Sequence, residues 1–176
     1  MIFKKQLILF SLLIVTATSG FAQWQFQSGT VAFSIKNAGL TVEGDFTQVE
    51  AKINFNPDQA EKASIEASIS TESINTGINL RDKHLQKSEY FDVAKFPKIS
   101  LKLISLTRDS KKGYNAIFNL TMKGISKELK FPVEFANSGK LQATFTIDRR
   151  DFKVGGNSWT MGDNVKIQLS AQLQKI

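Results

Sequence analysis

The 176-residue sequence has no cysteine, three prolines, one histidine and, among its 23 basic residues, only four arginines. Without cysteine there is no disulfide, no thiolate nucleophile and no thiolate zinc site, so stability has to come from burial. Attachment of a lipid to a signal-peptide cysteine is excluded on the same ground. One histidine without clustered carboxylates at ligand spacing leaves a metal short of donors. The scarcity of proline leaves most of the chain free to form unbroken ladders. Arg81, Arg108, Arg149 and Arg150 stand far apart or at a strand end, and the lysines are scattered along the chain. That distribution describes a solvated surface and not a nucleic-acid footprint, which would gather its charge on one face. Long apolar runs are missing as well. The only one, residues 7–15, is too short to span a bilayer.

That run does have a use. Lys4 and Lys5 precede it, and Gly20 and Ala22 follow at the spacing of a cleavage site. Residues 1–22 therefore read as a secretory signal peptide cut before Gln23, which makes the mature chain periplasmic or secreted. The formal net charge of +7 falls to about +5 when Lys4 and Lys5 leave with it. Residues 23–176 suit one domain with a sizeable core.

Within that domain most segments alternate with period two, the mark of a half-buried strand. Val31, Phe33 and Ile35 share a face, as do Leu40, Val42, Gly44 and Phe46, with Asn37–Ala38–Gly39 as the turn between them. Gly44 interrupts its face and suggests a bend or bulge. Further faces follow at Val49, Ala51, Ile53 and Phe55, and at Ile65, Ala67 and Ile69. After residue 98, Ile99, Leu101 and Leu103 alternate and then Ile104 and Leu106 shift by one, which predicts a β-bulge. Lys111–Lys112–Gly113 turns into Ala116, Phe118, Leu120 and Met122; Leu129, Phe131, Val133 and Phe135 follow, with Pro132 demanding an edge or a bulge. Leu141, Ala143, Phe145 and Ile147 come next, then the glycine-bearing loop 149–163, then Val165, Ile167 and Leu169. The fold class is all-β: an antiparallel, lipocalin-like barrel of about eight strands, wide enough for one small ligand or for its own side chains.

The exception to this pattern is residues 75–97, NTGINLRDKHLQKSEYFDVAKFP, the only stretch with helical signals. Asn79 is placed to cap a short helix on which Leu80 and His84 share a face, as do Arg81 and Leu85. Ser88 can cap a second turn, and Pro97 ends the segment. The segment reads as a helical flap inserted between strands. Arg81–Asp82 is readable as an ion pair latching it to the barrel rim, and Arg81 equally as a bidentate anion ligand. His84 has no nucleophile or acid at usable spacing, so catalysis lacks a constellation. Arg149–Arg150–Asp151 reads as a solvated charge cluster, with a polar rim as the alternative.

The segment SINTGINLRDKHLQKSEYFDVAKFPKISL resembles the signature of the YceI-like family. That pattern runs Ser-Ile-x-Thr-Gly, Arg-Asp-x-His-Leu, Phe-Phe-Asp-Val and Phe/Tyr-Pro before a strand. The segments TVAFSIKNAGLTVEGDF, NLTMKGISKELKFPVEF, IDRRDFKVGG and GDNVKIQL resemble further pieces of the family in the same order. Tyr90 departs where phenylalanine is common, and Leu101 where an aromatic is. The resemblance implies an exported barrel that holds a polyisoprenoid or similar amphiphile, without cofactor and without an established catalytic activity. Periodicity alone does not separate a dry core from a lipid tunnel. The resemblance favours the tunnel, with apolar lining from Phe33, Ile35, Ile65, Ile69, Leu85, Phe91, Phe118, Leu120, Phe131, Phe145 and Trp159, and head-group contact from Arg81 and His84. The competing reading is a non-enzymatic interaction module with a self-filled core; a lipid hydrolase or isomerase ranks last for want of a nucleophile. No oligomeric state follows, and contact with a membrane is expected only at its surface.

Overall fold

The computed structural model describes residues 24–109 and 113–176. The expected signal peptide and most of the Lys111–Lys112–Gly113 turn lie outside them. Ten antiparallel strands form one sheet: β1 Trp24–Asn37, β2 Leu40–Phe46, β3 Val49–Asn54, β4 Ser64–Ser70, β5 Ile74–Asn75, β6 Lys98–Asp109, β7 Gly113–Met122, β8 Ile125–Phe135, β9 Lys140–Asp148 and β10 Met161–Lys175. Their order is β3-β4-β6-β7-β8-β9-β10-β1-β2-β5. One helix, α1 Asn79–Leu85, lies in the flap.

The strand count is ten, not eight, and the reason is local. β5 is a two-residue pairing of Asn75 and Ile74 with Asp45 and Phe46. β2 and β3 are separated by only Thr47 and Gln48, yet they lie near opposite ends of the sheet order. The sheet therefore curls into a half-barrel until its ends meet along β1. There the Trp24 N–H donates to the carbonyl of Phe55, the residue after β3 (3.0 Å).

The expected bulge in β6 is present: the register with β7 slips between Leu103 and Ser105, and Ile104 is thrown outward. Pro132 sits where β8 leaves its neighbour. β8 pairs with β9 only over Val133–Phe135, and the two strands separate at the residue that has no N–H to donate. Gly44 marks no bulge, since the β1–β2 register runs unbroken through it. A Cβ there would come within 2.5 Å of Phe33 Cζ and 2.8 Å of the Asn75 carbonyl oxygen. Glycine lets the Phe33 ring and β5 approach β2 closely. On the outer face, Lys98–Glu50 and Lys102–Glu66 pair at 2.8 Å, and the lysine hydrogen bonds hold both carboxyls below their usual range. Exposed pairs of this kind contribute little.

Two apolar clusters fill the interior, one towards each end. The first contains Phe55, Ile65, Leu106, Tyr114, Ala116, Phe118, Phe131, Val133, Ala143 and Leu173. It sits at the end where the chain enters at Trp24 and where short connections return the strands. The second contains Phe46, Ile69, Ile74, Ile99, Leu120, Met122, Ile147, Phe152 and Val154. Leu101, Leu129 and Phe145 pack against both. The two longest connections, the flap and loop 149–160, are at the second end.

Candidate functional site: an apolar cavity under the flap

Between the second cluster and the flap lies a cavity of about 320 Å³ whose wall is almost wholly hydrocarbon. The alternating faces of β1, β4, β7, β9 and β10 supply its sides. Of the expected lining, Phe33, Ile35, Ile69, Leu85, Phe91, Leu120 and Phe145 border it, together with Arg81 and His84. Val31, Val42, Tyr90, Met122, Val154, Met161, Val165 and Ile167 border it as well and were not part of the expected lining.

Four expected lining residues are elsewhere. Ile65, Phe118 and Phe131 are buried in the packed end. The Phe118 and Phe131 rings lie 5.2 Å apart and those of Phe131 and Phe145 4.1 Å apart, each pair tilted by 9°. This three-ring stack runs from β7 across β8 to β9, and only its Phe145 member borders the cavity. The aromatics expected to line a through-tunnel plug it. Trp159 is not interior at all: it is fully exposed, at 106%. It lies in an irregular loop, where no period assigns a side chain to a face.

The flap forms the lid, and its anchors differ from the expected ones. Ile78, not Asn79, is the N-cap, and no side chain caps the helix; Asn79 already has helical backbone. Arg81 and Asp82 make no ion pair with each other. Both hold Thr76 instead. Asp82 Oδ1 accepts from the Thr76 N–H (2.9 Å) and hydroxyl, while Arg81 Nε and Nη2 donate to Thr76 Oγ1 and its carbonyl, both at 2.7 Å. Arg81 Nη1 is left without a partner among the described residues. His84 makes no hydrogen bond among them; its ring meets Tyr90 edge-on at 5.0 Å. At the flap's far end buried Thr71 donates its hydroxyl to the Phe96 carbonyl (2.8 Å) and its N–H to the Pro97 carbonyl (2.9 Å). The Glu89 carbonyl accepts from the Gly155 N–H, and Lys123 Nζ donates to the Ser88 carbonyl, both at 2.8 Å. Glu89's own N–H, then the Ser88 hydroxyl, hold its carboxyl below the usual carboxylate range.

Arg149 is the largest departure from the sequence reading. It is not part of a solvated cluster but only 3% exposed. Its guanidinium donates to the carbonyls of Val154 (2.7 Å), Gly156 (2.7 Å), Gly162 (2.9 Å) and Met161 (3.3 Å), and to Asp163 Oδ1 (3.0 Å). All five donors are thereby engaged. Although Arg149 borders the cavity, it shapes loop 149–163 and has no donor left for a ligand. The signal for its burial lies in β9, where Leu141, Ala143, Phe145 and Ile147 point inward and the next step of that alternation is residue 149.

A family model described as the YceI-like domain matches residues 24–173. The chain belongs to the YceI-like family. Among curated relatives, a UPF0312 protein of Pectobacterium carotovorum subsp. carotovorum is 26% identical over 168 residues, covering 86% of this chain and 87% of its own. Among solved structures, Burkholderia cenocepacia BcnA matches with a TM-score of 0.77 at 23% identity, over 83% of this chain and 96% of that one. A polyisoprenoid-binding domain from Saccharophagus degradans matches with a TM-score of 0.62 at 12% identity, over 89% and 99%. These structural likenesses show the fold.

Proposed function

We propose that this YceI-like protein is an exported carrier that holds the apolar tail of an isoprenoid or similar amphiphile in the cavity under the flap. The observation that carries this reading is the cavity itself: its walls are almost wholly hydrocarbon, and Arg81 and His84 border it from the flap. The YceI-like family and the polyisoprenoid-binding neighbour support it. Volume sets the scale of the ligand. An apolar cavity of about 150 Å³ accommodates a single-ring hydrocarbon, so 320 Å³ takes a tail of about a dozen carbons. That corresponds to two or three isoprene units, and a longer tail has to open the packed end or remain outside. Each enclosed CH₂ contributes about 0.8 kcal/mol. A charged head must stay hydrated or be paired, and Arg81 Nη1 and His84, which border the cavity, have no hydrogen-bond partner among the described residues.

Export rests on Lys4, Lys5, the apolar run and Ala22; sequencing the secreted protein from its N-terminus should begin at Gln23, and a retained Met1 refutes it. Carriage is tested by organic extraction of the purified protein and mass spectrometry of the extract. The expected result is one amphiphile class in near-stoichiometric amount; an empty extract from protein made in its native host supports the self-filled interaction module. Arg81→Ala should weaken binding of a phosphorylated isoprenoid by about 1.5–3 kcal/mol, the strength of a hydrogen bond to a charged group. It should affect the corresponding alcohol much less. Equal losses for both would leave Arg81 as an anchor of Thr76 alone.

A further inference from the structure

Among the described residues six large apolar side chains are exposed: Leu40, Ile78, Leu80, Ile104, Trp159 and Ile176. Scattered exposed hydrophobics need no explanation, but clustered ones do. Ile104 is thrown out by the β6 bulge, and Ile176 ends the chain. The other four belong to three separate segments around the cavity mouth. Leu40 follows the β1–β2 turn, Ile78 and Leu80 begin the flap helix, and Trp159 tips loop 149–160. The Ala38 N–H donates to the Thr160 carbonyl (2.8 Å), which joins the β1–β2 turn to the loop beside Trp159. Asn37 and Val42 border the cavity together with Arg81, which places the hairpin and the flap on one rim.

Charge accompanies this ring. Lys36, Lys83 and Lys87 lie in the same segments, are exposed, and enter none of the ion pairs among the described residues. Lys36 Nζ only donates to the neutral Thr41 hydroxyl (2.6 Å). Apolar side chains that include a tryptophan, ringed by unpaired lysines, match the boundary between acyl chains and anionic head groups. We propose that the mouth end docks on an anionic lipid bilayer. Leu40, Ile78, Leu80 and Trp159 enter the head-group layer, and the three lysines bind its charges. An apolar tail could then pass between bilayer and cavity without crossing water. That passage rests on the function proposed above; docking itself does not.

Trp159 is its own reporter once Trp24→Phe removes the other tryptophan, which packs on Phe135 at the far end. Delipidated Trp24→Phe protein is mixed with vesicles of phosphatidylcholine, with or without phosphatidylglycerol, and followed by emission and flotation. With phosphatidylglycerol present, the emission should shift to the blue and the protein should float, and added salt should reverse both. In the Trp24→Phe background, replacing Lys36, Lys83 and Lys87 by Gln should weaken partitioning roughly fivefold per lysine. In the otherwise native protein, Leu80→Ser with Trp159→Ser should abolish flotation while the melting temperature holds. No blue shift and no flotation with anionic vesicles overturns the proposal, as does binding that neither set of substitutions weakens. A vesicle-inert protein whose Trp159→Ser form loses a co-purifying protein assigns the patch to that protein instead. Vesicle binding by a protein that retains no amphiphile upholds docking and removes only the cargo reading.

Discussion

Phe118 and Phe91 both face the interior, yet their surroundings differ. Phe118 is 4% exposed and stacked on Phe131, whereas Phe91 borders the cavity and touches Phe46 edge-on at 5.8 Å. In ligand-free protein Phe118→Ala should therefore cost about 3–5 kcal/mol, the range for a packed core phenylalanine. Phe91→Ala should cost clearly less, because empty space already lies on one side of its ring. Urea unfolding of both variants checks this, and similar losses would mean the cavity is not open as described. Arg149→Lys is the second case. An ammonium offers three donors where the guanidinium uses five, so buried carbonyls lose partners. A loss of at least about 2 kcal/mol is expected in the same assay, at 1–3 kcal/mol per unsatisfied group. The alternation in the sequence told the inward face of most strand residues and the existence of the phase slip in β6, but it put Leu40 and Ile104 on apolar faces, and both are exposed. It could not tell height along the barrel, and height separates Phe118 and Phe131 from Phe33 and Phe91. Arg149 and Thr71 were legible in principle, since each continues an inward phase by one step. Their polar identity argued for solvent, and only the carbonyls of distant segments reveal why they are buried. Trp159 carried no signal either way.

Among the elements, the flap depends on how closely β5 approaches β2. β5 pairs at only two positions, and Gly44 is the residue that lets both the Asn75 carbonyl and the Phe33 ring come near. A methyl group at residue 44 meets backbone on one side and an aromatic ring on the other. Gly44→Ala should therefore destabilise by about 1–3 kcal/mol, the usual cost of overpacking. Displacing the Phe33 ring into the cavity should also reduce ligand capacity. Thermal unfolding and a binding titration on the same variant test the two effects; a neutral substitution would show that β5 is free to shift. The existence of the helical insertion was legible from Pro97 and the spacing of Arg81, His84 and Leu85. Its anchoring through Thr76, Thr71 and the Gly155–Glu89 bond was not, because those partners are far apart in sequence or lie outside the helix.

At the scale of the whole molecule, a self-filled core and an open apolar cavity each occupy one half of the barrel. The end near Trp24 is packed with side chains, the flap end is hollow, and the Phe118–Phe131–Phe145 stack divides them. A sequence with one alternating pattern throughout does not announce such a division, because it arises from strand register and from where loops 75–97 and 149–160 close over the sheet. The division implies a finite tail. The measurement that tests it most directly is calorimetric titration of the delipidated protein with single-tailed phosphates of increasing chain length. Affinity should rise about fourfold per added CH₂, the equivalent of about 0.8 kcal/mol, and level off near a dozen carbons. Affinity that is independent of tail length from the shortest member onward would contradict the account, as would a rise that continues unchanged far beyond that length.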